Sequence, residues 1–167
     1  MIRRIFIAVA LALLAVPFSA SAQTDTRGAS FELFGALVRP VDSDSDLETE
    51  AFGLRGGFRF NNVFALEGSL SRLNEDVDVW FGDLSFNAFF IHSDRFEVYG
   101  LAGPGYYRVS DDGEGLNDLT VHAGLGAEIS LGERTYLRPE VRGRWLAEEL
   151  RFDEGLVDYS LSFGWRF

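Results

Sequence analysis

The sequence predicts an all-β fold, in which eight antiparallel strands follow one another up and down around a barrel. Three observations support this prediction. Apolar side chains alternate with small or polar ones along several segments, which is the period of a β-strand. Short and long connections between these segments also alternate along the chain. The 167 residues include no cysteine, so a disulfide scaffold or a cysteine-ligated metal site is excluded.

The start of the chain has the composition of a secretory signal peptide. Two arginines precede an apolar run at 5–16, and small residues at alternate positions lead to a cleavage pattern that ends at Ala22. We therefore predict cleavage between Ala22 and Gln23, which divides the chain into a signal peptide, 1–22, and a barrel domain, 23–167. The apolar run is too short for a transmembrane helix, which needs about 20 residues.

The predicted strands each carry one apolar face and one face of small or polar residues. We expect them at 30–39, 51–60, 63–72, 78–91, 96–109, 118–131, 135–147 and 157–167. In the fifth strand the pattern does not decide whether Val98 or Tyr99 shares the apolar face. The short connections are 61–62, 92–95 and 132–134, whereas the longer and acidic ones are 40–50, 73–77, 110–117 and 148–156. An even number of strands with this asymmetry is typical of an outer-membrane barrel.

The distribution of apolar residues distinguishes a membrane barrel from a soluble sandwich. A soluble sandwich buries its apolar face and exposes a charged one. Here the apolar face is large and aromatic on almost every strand, and the opposite face carries charges of both signs. Aromatic residues also cluster near strand ends, as in interfacial girdles, and those beside the long loops are Trp80, Tyr107, Trp145 and Tyr159. The sequence therefore predicts a transmembrane barrel in a bacterial outer membrane, with its long loops outside the cell.

The polar faces of the strands predict an ion-paired lumen. Eight strands leave an interior that side chains can just fill, and a buried charge without a partner is costly. Arginine suits this interior because its planar guanidinium binds carboxylates at two points. The predicted network consists of Arg55, Arg59, Glu67, Asp83, Glu128, Arg138, Glu140, Arg142, Arg144 and Arg166. A small ion-conducting pore is the alternative interpretation of the same charges.

The last strand resembles the C-terminal signature of bacterial outer-membrane barrels. In that signature a terminal Phe follows apolar residues at alternate positions and an aromatic residue eight positions earlier. The matching residues are Tyr159, Leu161, Phe163, Trp165 and Phe167. Segments 52–68 and 98–107 are similar to the barrel domain of the OmpA/OmpX-like proteins, and the resemblance covers 23–167. It implies that the barrel-assembly machinery recognises the last strand.

The resemblance also implies a class of function. OmpA/OmpX-like barrels have roles in envelope integrity, adhesion and serum resistance, so we expect a non-enzymatic structural or surface-interaction protein. The peptidoglycan-binding domain of some members does not follow the barrel here, so we expect no cell-wall tether of that kind. We expect no catalytic residue, no cofactor and no dedicated metal site.

A lipid A-modifying enzyme is the alternative function. Lipid A deacylase barrels resemble this chain in size and use a His-x-Ser pair with an acid. His92 is followed directly by Ser93, and His122 is followed by Ala-Gly, so neither histidine matches that motif. We expect the His122 side chain to point into the lumen, beside Glu128 or another carboxylate.

The acidic residues are concentrated near the long connections: these hold fourteen of the 26 carboxylates, and Asp78 and Asp118 lie directly beside them. A formal net charge of -11 argues against nucleic acid as a partner. Residues 42–46 have the spacing that begins a calcium-binding loop, but Leu47 and Gly53 replace the required Gly and Glu, so an EF-hand is excluded. The loops could still hold divalent cations that bridge them to lipopolysaccharide phosphates. The expected partners are thus outer-membrane lipid, lipopolysaccharide and an extracellular partner that the sequence does not identify.

Overall fold

A computed structural model describes residues 27–41, 48–74, 78–111, 114–146 and 155–167. It contains eight strands: β1 Gly28–Pro40, β2 Thr49–Arg59, β3 Phe64–Leu73, β4 Asp78–His92, β5 Phe96–Asp111, β6 Glu114–Ser130, β7 Thr135–Leu146 and β8 Leu156–Arg166. Each strand pairs antiparallel with the next, and β8 pairs with β1. The predicted fold class, an antiparallel up-and-down barrel of eight strands, is confirmed. Within the described ranges no helix is both long and apolar enough to span a membrane.

The barrel closes through the pairing of β1 with β8. This pairing extends from Ser30 opposite Arg166 to Pro40 opposite Leu156. Beyond it, the Phe167 amide donates a hydrogen bond to the Ala29 carbonyl oxygen at 2.9 Å. Closure leaves no strand edge with unpaired backbone groups, which a lipid environment requires.

Side chains alternate between the outer wall and the lumen along the strands, with the apolar face outward, except at a bulge between Phe89 and Ile91 of β4. Outward-facing Phe52 and Leu125 are 61% and 62% exposed, whereas inward-facing Glu32 is 1% exposed. The structure also decides the orientation of β5, because Tyr99 points inward and is fully buried. Tyr107 on the same strand therefore also points inward, where its ring centroid lies 6.2 Å from that of Phe81. Its expected place in the outer aromatic girdle was wrong, because strand parity excludes it from the outer face.

The hairpin of β5 and β6 is longer than the sequence pattern indicates. The two strands pair as far as Asp111 opposite Glu114, so most of the predicted loop at 110–117 is strand. Antiparallel pairing satisfies backbone donors and acceptors whether or not the side chains alternate in polarity, and an alternation pattern therefore underestimates such extensions.

The chain enters β1 at Gly28, whose φ is 143°. A Cβ there would lie 2.5 Å from the Phe167 carbonyl oxygen, so glycine is required where the two ends of the barrel wall meet.

Two apolar clusters lie in the lumen, above and below its charged middle. The cluster towards the long loops consists of Val38, Ala51, Leu73 and Phe81. The cluster nearer the short turns consists of Ala65, Phe89, Tyr99 and Leu101. The inner face is thus not uniformly polar, because apolar side chains share it with the charged ones.

Several predicted features lie outside the described residues. They include the signal peptide, 1–22, with its cleavage site between Ala22 and Gln23, and most of the acidic loop residues. Those features stay predictions.

Candidate functional site in the barrel lumen

Arg138 lies at the centre of the lumen and is fully buried. Its Nη1 donates to Glu32 Oε1 at 2.7 Å, and its Nη2 donates to Glu67 Oε2 at 2.8 Å. Nη2 also donates to Glu140 Oε2 at 3.1 Å, and Nε donates to the Tyr99 hydroxyl. Side chains from β1, β3, β5 and β7 therefore converge on one guanidinium across the barrel.

Two tyrosines connect these carboxylates to the wall. The Tyr99 hydroxyl donates to Glu140 Oε2 at 2.7 Å, and the Tyr136 hydroxyl donates to Glu32 Oε1 at 2.8 Å. Glycines on the neighbouring strands make room for both rings. A Cβ at Gly126 would lie 2.1 Å from the Tyr99 hydroxyl oxygen, and one at Gly164 would lie 2.3 Å from the Tyr136 ring. These close approaches explain why two glycines stand on the inner face of β6 and β8.

Asp83 forms ion pairs with two arginines in the half of the lumen that lies towards the loops. Its Oδ2 accepts from Arg142 Nη1 at 2.8 Å, and its Oδ1 accepts from Arg144 Nη1. Arg144 Nε donates to Asp158 Oδ2 at 2.6 Å, and Arg142 Nη2 donates to Glu140 Oε1 at 2.8 Å. Glu140 therefore joins this group to the centre of the lumen.

Glu97 forms the main ion pair at the end of the lumen that lies towards the short turns. Arg59 binds it at two points, with Nη1 2.6 Å from Oε2 and Nη2 2.8 Å from Oε1. The Arg59 guanidinium lies 3.8 Å from the centroid of the Phe89 ring. Arg166 pairs with Glu128 and lies 3.8 Å from Glu97. A cavity of about 760 Å³ opens beside this group at the turn end.

The structure places all ten predicted lumen residues on the inner face of their strands. It adds three carboxylates and two tyrosines to them: Glu32, Glu97, Asp158, Tyr99 and Tyr136. The sequence pattern missed Glu32 because apolar side chains share the inner face of β1, and it missed Glu97 and Tyr99 because the parity of β5 was ambiguous. Tyr136 and Asp158 have the parity of the polar faces of β7 and β8, so alternation could have found them. We call the ten predicted residues and these five additions the lumen network.

The charges of the lumen network nearly cancel. It contains six arginines and seven carboxylates. The ten residues predicted from sequence contain the same six arginines but only four carboxylates. The predicted set therefore had an excess of positive charge, which the three added carboxylates remove. Near-neutrality is what a buried ionic cluster requires, because an unpaired buried charge costs several kcal/mol.

Three of the carboxylates approach one another closely enough to hold a metal ion. Oxygens of Glu32, Glu67 and Glu128 lie within 4.8 Å of one another. Arg138 Nη1 lies among them, hydrogen-bonded to Glu32 and Glu67 and 3.9 Å from Glu128. The guanidinium thus neutralises this cluster in the way that a bound cation would.

His122 lies next to Asp83, not next to Glu128. Its Nε2 is 2.9 Å from the Ser85 hydroxyl oxygen, and its Nδ1 is 3.7 Å from Asp83 Oδ1. This is the residue set of a serine hydrolase, although the longer distance exceeds a hydrogen bond. The sequence could not reveal it, because Ser85 and His122 lie on β4 and β6, two strands apart.

The residues of the C-terminal signature form the outer face of β8. Tyr159, Leu161, Phe163 and Phe167 are exposed on the wall, and Phe167 is 80% exposed. The rings of Phe163 and Trp165 meet edge to face at 4.6 Å. The structure thus places these five residues on one surface.

Solved barrels share this architecture. The N-terminal barrel domain of Pseudomonas aeruginosa OprF is 15% identical with a TM-score of 0.66, and the match covers 86% of this chain and all of that one. Yersinia pestis Ail is 20% identical with a TM-score of 0.62, covering 84% and 99%. Neisserial surface protein A is 13% identical with a TM-score of 0.63, covering 87% and 100%. At these identities the similarity concerns the fold alone.

Two further structures bear on function. Ail has also been solved in complex with sucrose octasulfate, a heparin analogue. The outer membrane enzyme PagL is 13% identical with a TM-score of 0.51, covering 80% of this chain and 97% of that one. The fold therefore occurs both in a protein solved with a heparin analogue and in an enzyme.

The sequence itself shows the family. A comparison with curated protein sequences gives no match. The family model described as the outer membrane protein beta-barrel domain matches residues 6–167, nearly the whole chain. Together with the closed barrel of eight strands and its apolar outer wall, this match confirms the resemblance and the location inferred from sequence. The chain belongs to the outer membrane protein β-barrel family and is a bacterial outer-membrane protein.

Proposed function

We propose that this barrel is a non-enzymatic outer-membrane protein with a structural or surface-interaction role, such as adhesion or envelope integrity, and a closed lumen. The observation that carries the proposal is the burial of Arg138 among carboxylates from β1, β3 and β7. These contacts cross the barrel, and side chains fill its cross-section at that level.

The connectivity of the lumen network supports closure. Every strand contributes at least one member, and Glu140 links the central group to the group around Asp83. Apolar clusters lie on both sides of the charged middle. An ion would have to break several coupled ion pairs in order to pass. Breaking each pair leaves a buried charge without a partner, which is costly.

Planar-bilayer recording tests the closed lumen against the pore. We expect no stepwise conductance from the wild-type barrel. A variant that trims the centre while removing both charges of a pair, R138A/E67A, is expected to conduct, and R39A on the outer face is the matched control without conductance. Steady conductance from the wild type would reject the closed lumen and favour the pore.

The acidic loops support a role at the cell surface. They place an excess of carboxylates beyond the barrel, on the side that faces outward in this family. Ail has been solved with a polyanion, but these loops would repel one, so we propose a cationic extracellular partner. Divalent cations held by loop carboxylates would moderate repulsion from lipopolysaccharide phosphates.

The Ser85, His122 and Asp83 group is the observation that favours the enzyme. Ser85 and His122 are each 2% exposed, so a substrate would have to displace lumen side chains before it reached them. Asp83 is also engaged by two arginines. We therefore propose a structural role for this group.

Lipid A analysis distinguishes these two roles. Expression of the protein in a host with an outer membrane should leave the mass of lipid A unchanged. A mass change that disappears in both H122A and S85A, while both variants still assemble, would establish the enzyme.

We also propose that the barrel-assembly machinery recognises the outer face of β8, and that cleavage after Ala22 releases the chain for assembly. The position of the five signature residues on one surface, where four of them are exposed, supports the first part. The composition of residues 1–22 supports the second.

A further inference from the structure

Two arginines on nearby strands face outward, away from the lumen network. Arg72 and Arg108 lie on the outer faces of β3 and β5, near the ends that lead to the long loops, and both are exposed. Trp80 of β4 stands between them, paired in register with each. Because neighbouring strands lie about 4.8 Å apart, the two arginine Cα atoms are separated by about 10 Å. The Arg72 guanidinium lies 5.8 Å from the centroid of the Trp80 ring.

An apolar groove lies directly beneath this row, towards the middle of the wall. The next outward residues on the same three strands are Leu70, Gly82 and Tyr106, which are also paired in register. A side chain is missing at the centre, because a Cβ at Gly82 would meet nothing within 4 Å. The groove is shallow and open to the outside, with a volume of about 570 Å³, and its lining includes Leu54, Leu70, Leu84, Pro104, Tyr106 and Leu119.

We propose that the row and the groove together bind a phosphate-bearing lipid of the outer leaflet. Arg72 and Arg108 bind the headgroup phosphate, and one acyl chain lies in the groove over Gly82. We call this the lipid site. Because the chain is an outer-membrane barrel, the outer face of its wall is in contact with lipid.

The order of the residues along the strands matches the order of the groups in a lipid. Residues that share a face are about 7 Å apart along a strand, so the guanidiniums stand one such step above the groove. Tryptophan is typical of the boundary between headgroups and acyl chains, and arginine reaches from that boundary to the headgroups. Guanidinium groups bind phosphate at two points, which provides charge complementarity at the upper end of the site.

The lipid site gives a reason for the two arginines on the outer wall. An arginine on the lipid face is destabilising near the middle of the bilayer but costs little near the interface. The outward positions of β3 below Arg72 are Leu70, Gly68, Leu66 and Phe64, so the charge appears only at the boundary.

Native mass spectrometry of the folded full-length chain in a non-ionic detergent tests the lipid site. The probe is bisphosphorylated lipid A, compared with its dephosphorylated form and with inorganic phosphate. We expect the phosphorylated lipid to bind at least about tenfold more tightly than the dephosphorylated lipid, since each basic residue at the interface adds to the attraction. Equal binding of the two lipids would overturn the proposal, as would inorganic phosphate that binds as tightly as lipid A.

Two variants separate the contributions of the headgroup and the acyl chain. R72Q/R108Q should weaken the binding of phosphorylated lipid A by at least about tenfold and leave the dephosphorylated lipid unaffected. G82L fills the groove at a position where a Cβ has open space, so it should weaken both lipids without preventing folding. R39Q is the matched control. It removes an outward arginine of β1 that lies, like Arg72 and Arg108, near a strand end leading to a long loop, and its affinity for phosphorylated lipid A should equal that of the wild type. Wild-type affinity in R72Q/R108Q, or loss of binding in R39Q as large as in that variant, would reject the assignment.

Discussion

Arg138 and Arg39 show how the same residue type has different consequences in the lumen and on the wall. Arg138 is fully buried and binds three carboxylates, whereas the Arg39 side chain is 46% exposed and pairs with Glu48. Removing a buried ionic partner leaves the opposite charges without solvation. Removing an exposed partner leaves a charge that water can solvate.

Replacing Arg138 with methionine should therefore destabilise the barrel strongly. R138M leaves Glu32, Glu67 and Glu140 without their shared cation, so we expect the free energy of unfolding to fall by about 3–5 kcal/mol. Urea titration in lipid vesicles, followed by tryptophan fluorescence, measures this change.

The matched control is R39M, whose free energy of unfolding should fall by less than about 1 kcal/mol. A second variant, R138M/E67L, removes both charges of one pair and should recover part of the loss. Equal urea midpoints for R138M and the wild type would show that the lumen network contributes little to stability.

At the scale of elements, β8 both completes the wall and carries the proposed assembly signal. Its inner face contributes Asp158 and Arg166 to the lumen network, and its outer face is aromatic and apolar. Only one backbone hydrogen bond, from Phe167 to Ala29, extends the β1 and β8 pairing beyond Arg166 among the described residues. We therefore infer that Phe167 contributes little to the stability of the closed barrel and acts mainly in the proposed recognition.

Deleting Phe167 should accordingly impair assembly in cells more than folding in vitro. We expect the fraction of barrel in the outer membrane that migrates as a folded, heat-modifiable species to fall severalfold. The same variant should refold in detergent to nearly the wild-type extent, because one terminal hydrogen bond contributes only about 1 kcal/mol.

The conservative variant F167W keeps an aromatic terminus and should assemble like the wild type. Normal insertion of the deletion variant in cells would contradict the proposed signal. Equal loss in cells and in detergent would instead assign Phe167 to folding.

Strand boundaries show what alternation can and cannot predict at this scale. All eight strands were predicted in the right order, because alternation along one strand is a local property of the sequence. The β5 and β6 hairpin extends to Asp111 and Glu114, beyond the predicted ends, because its pairing continues where alternation stops. The orientation of β5 became clear only when Tyr99 could be placed against Arg138 and Glu140.

At the scale of the whole molecule, the charges divide among three regions. The formal charge of -11 would suggest an acidic surface throughout, but the lumen network is nearly neutral. The outer wall is apolar except near its ends, where Arg39, Arg72 and Arg108 face outward. The negative excess therefore belongs largely to the sequences of the long connections, and net charge says little about how the barrel is held together.

The sequence by itself determined the class of fold, the number and order of the strands, and which face of most strands meets lipid. Those properties follow from alternation and from connection length, which are local along the chain. Only the tertiary structure decided which charges pair, because partners such as Arg138 and Glu32 are separated by 106 positions in sequence. It alone also brought His122 to Ser85 and set Trp80 between Arg72 and Arg108. The physical reason is that these partners lie on different strands, so whether they meet depends on the registers of the intervening strands together and on closure of the barrel.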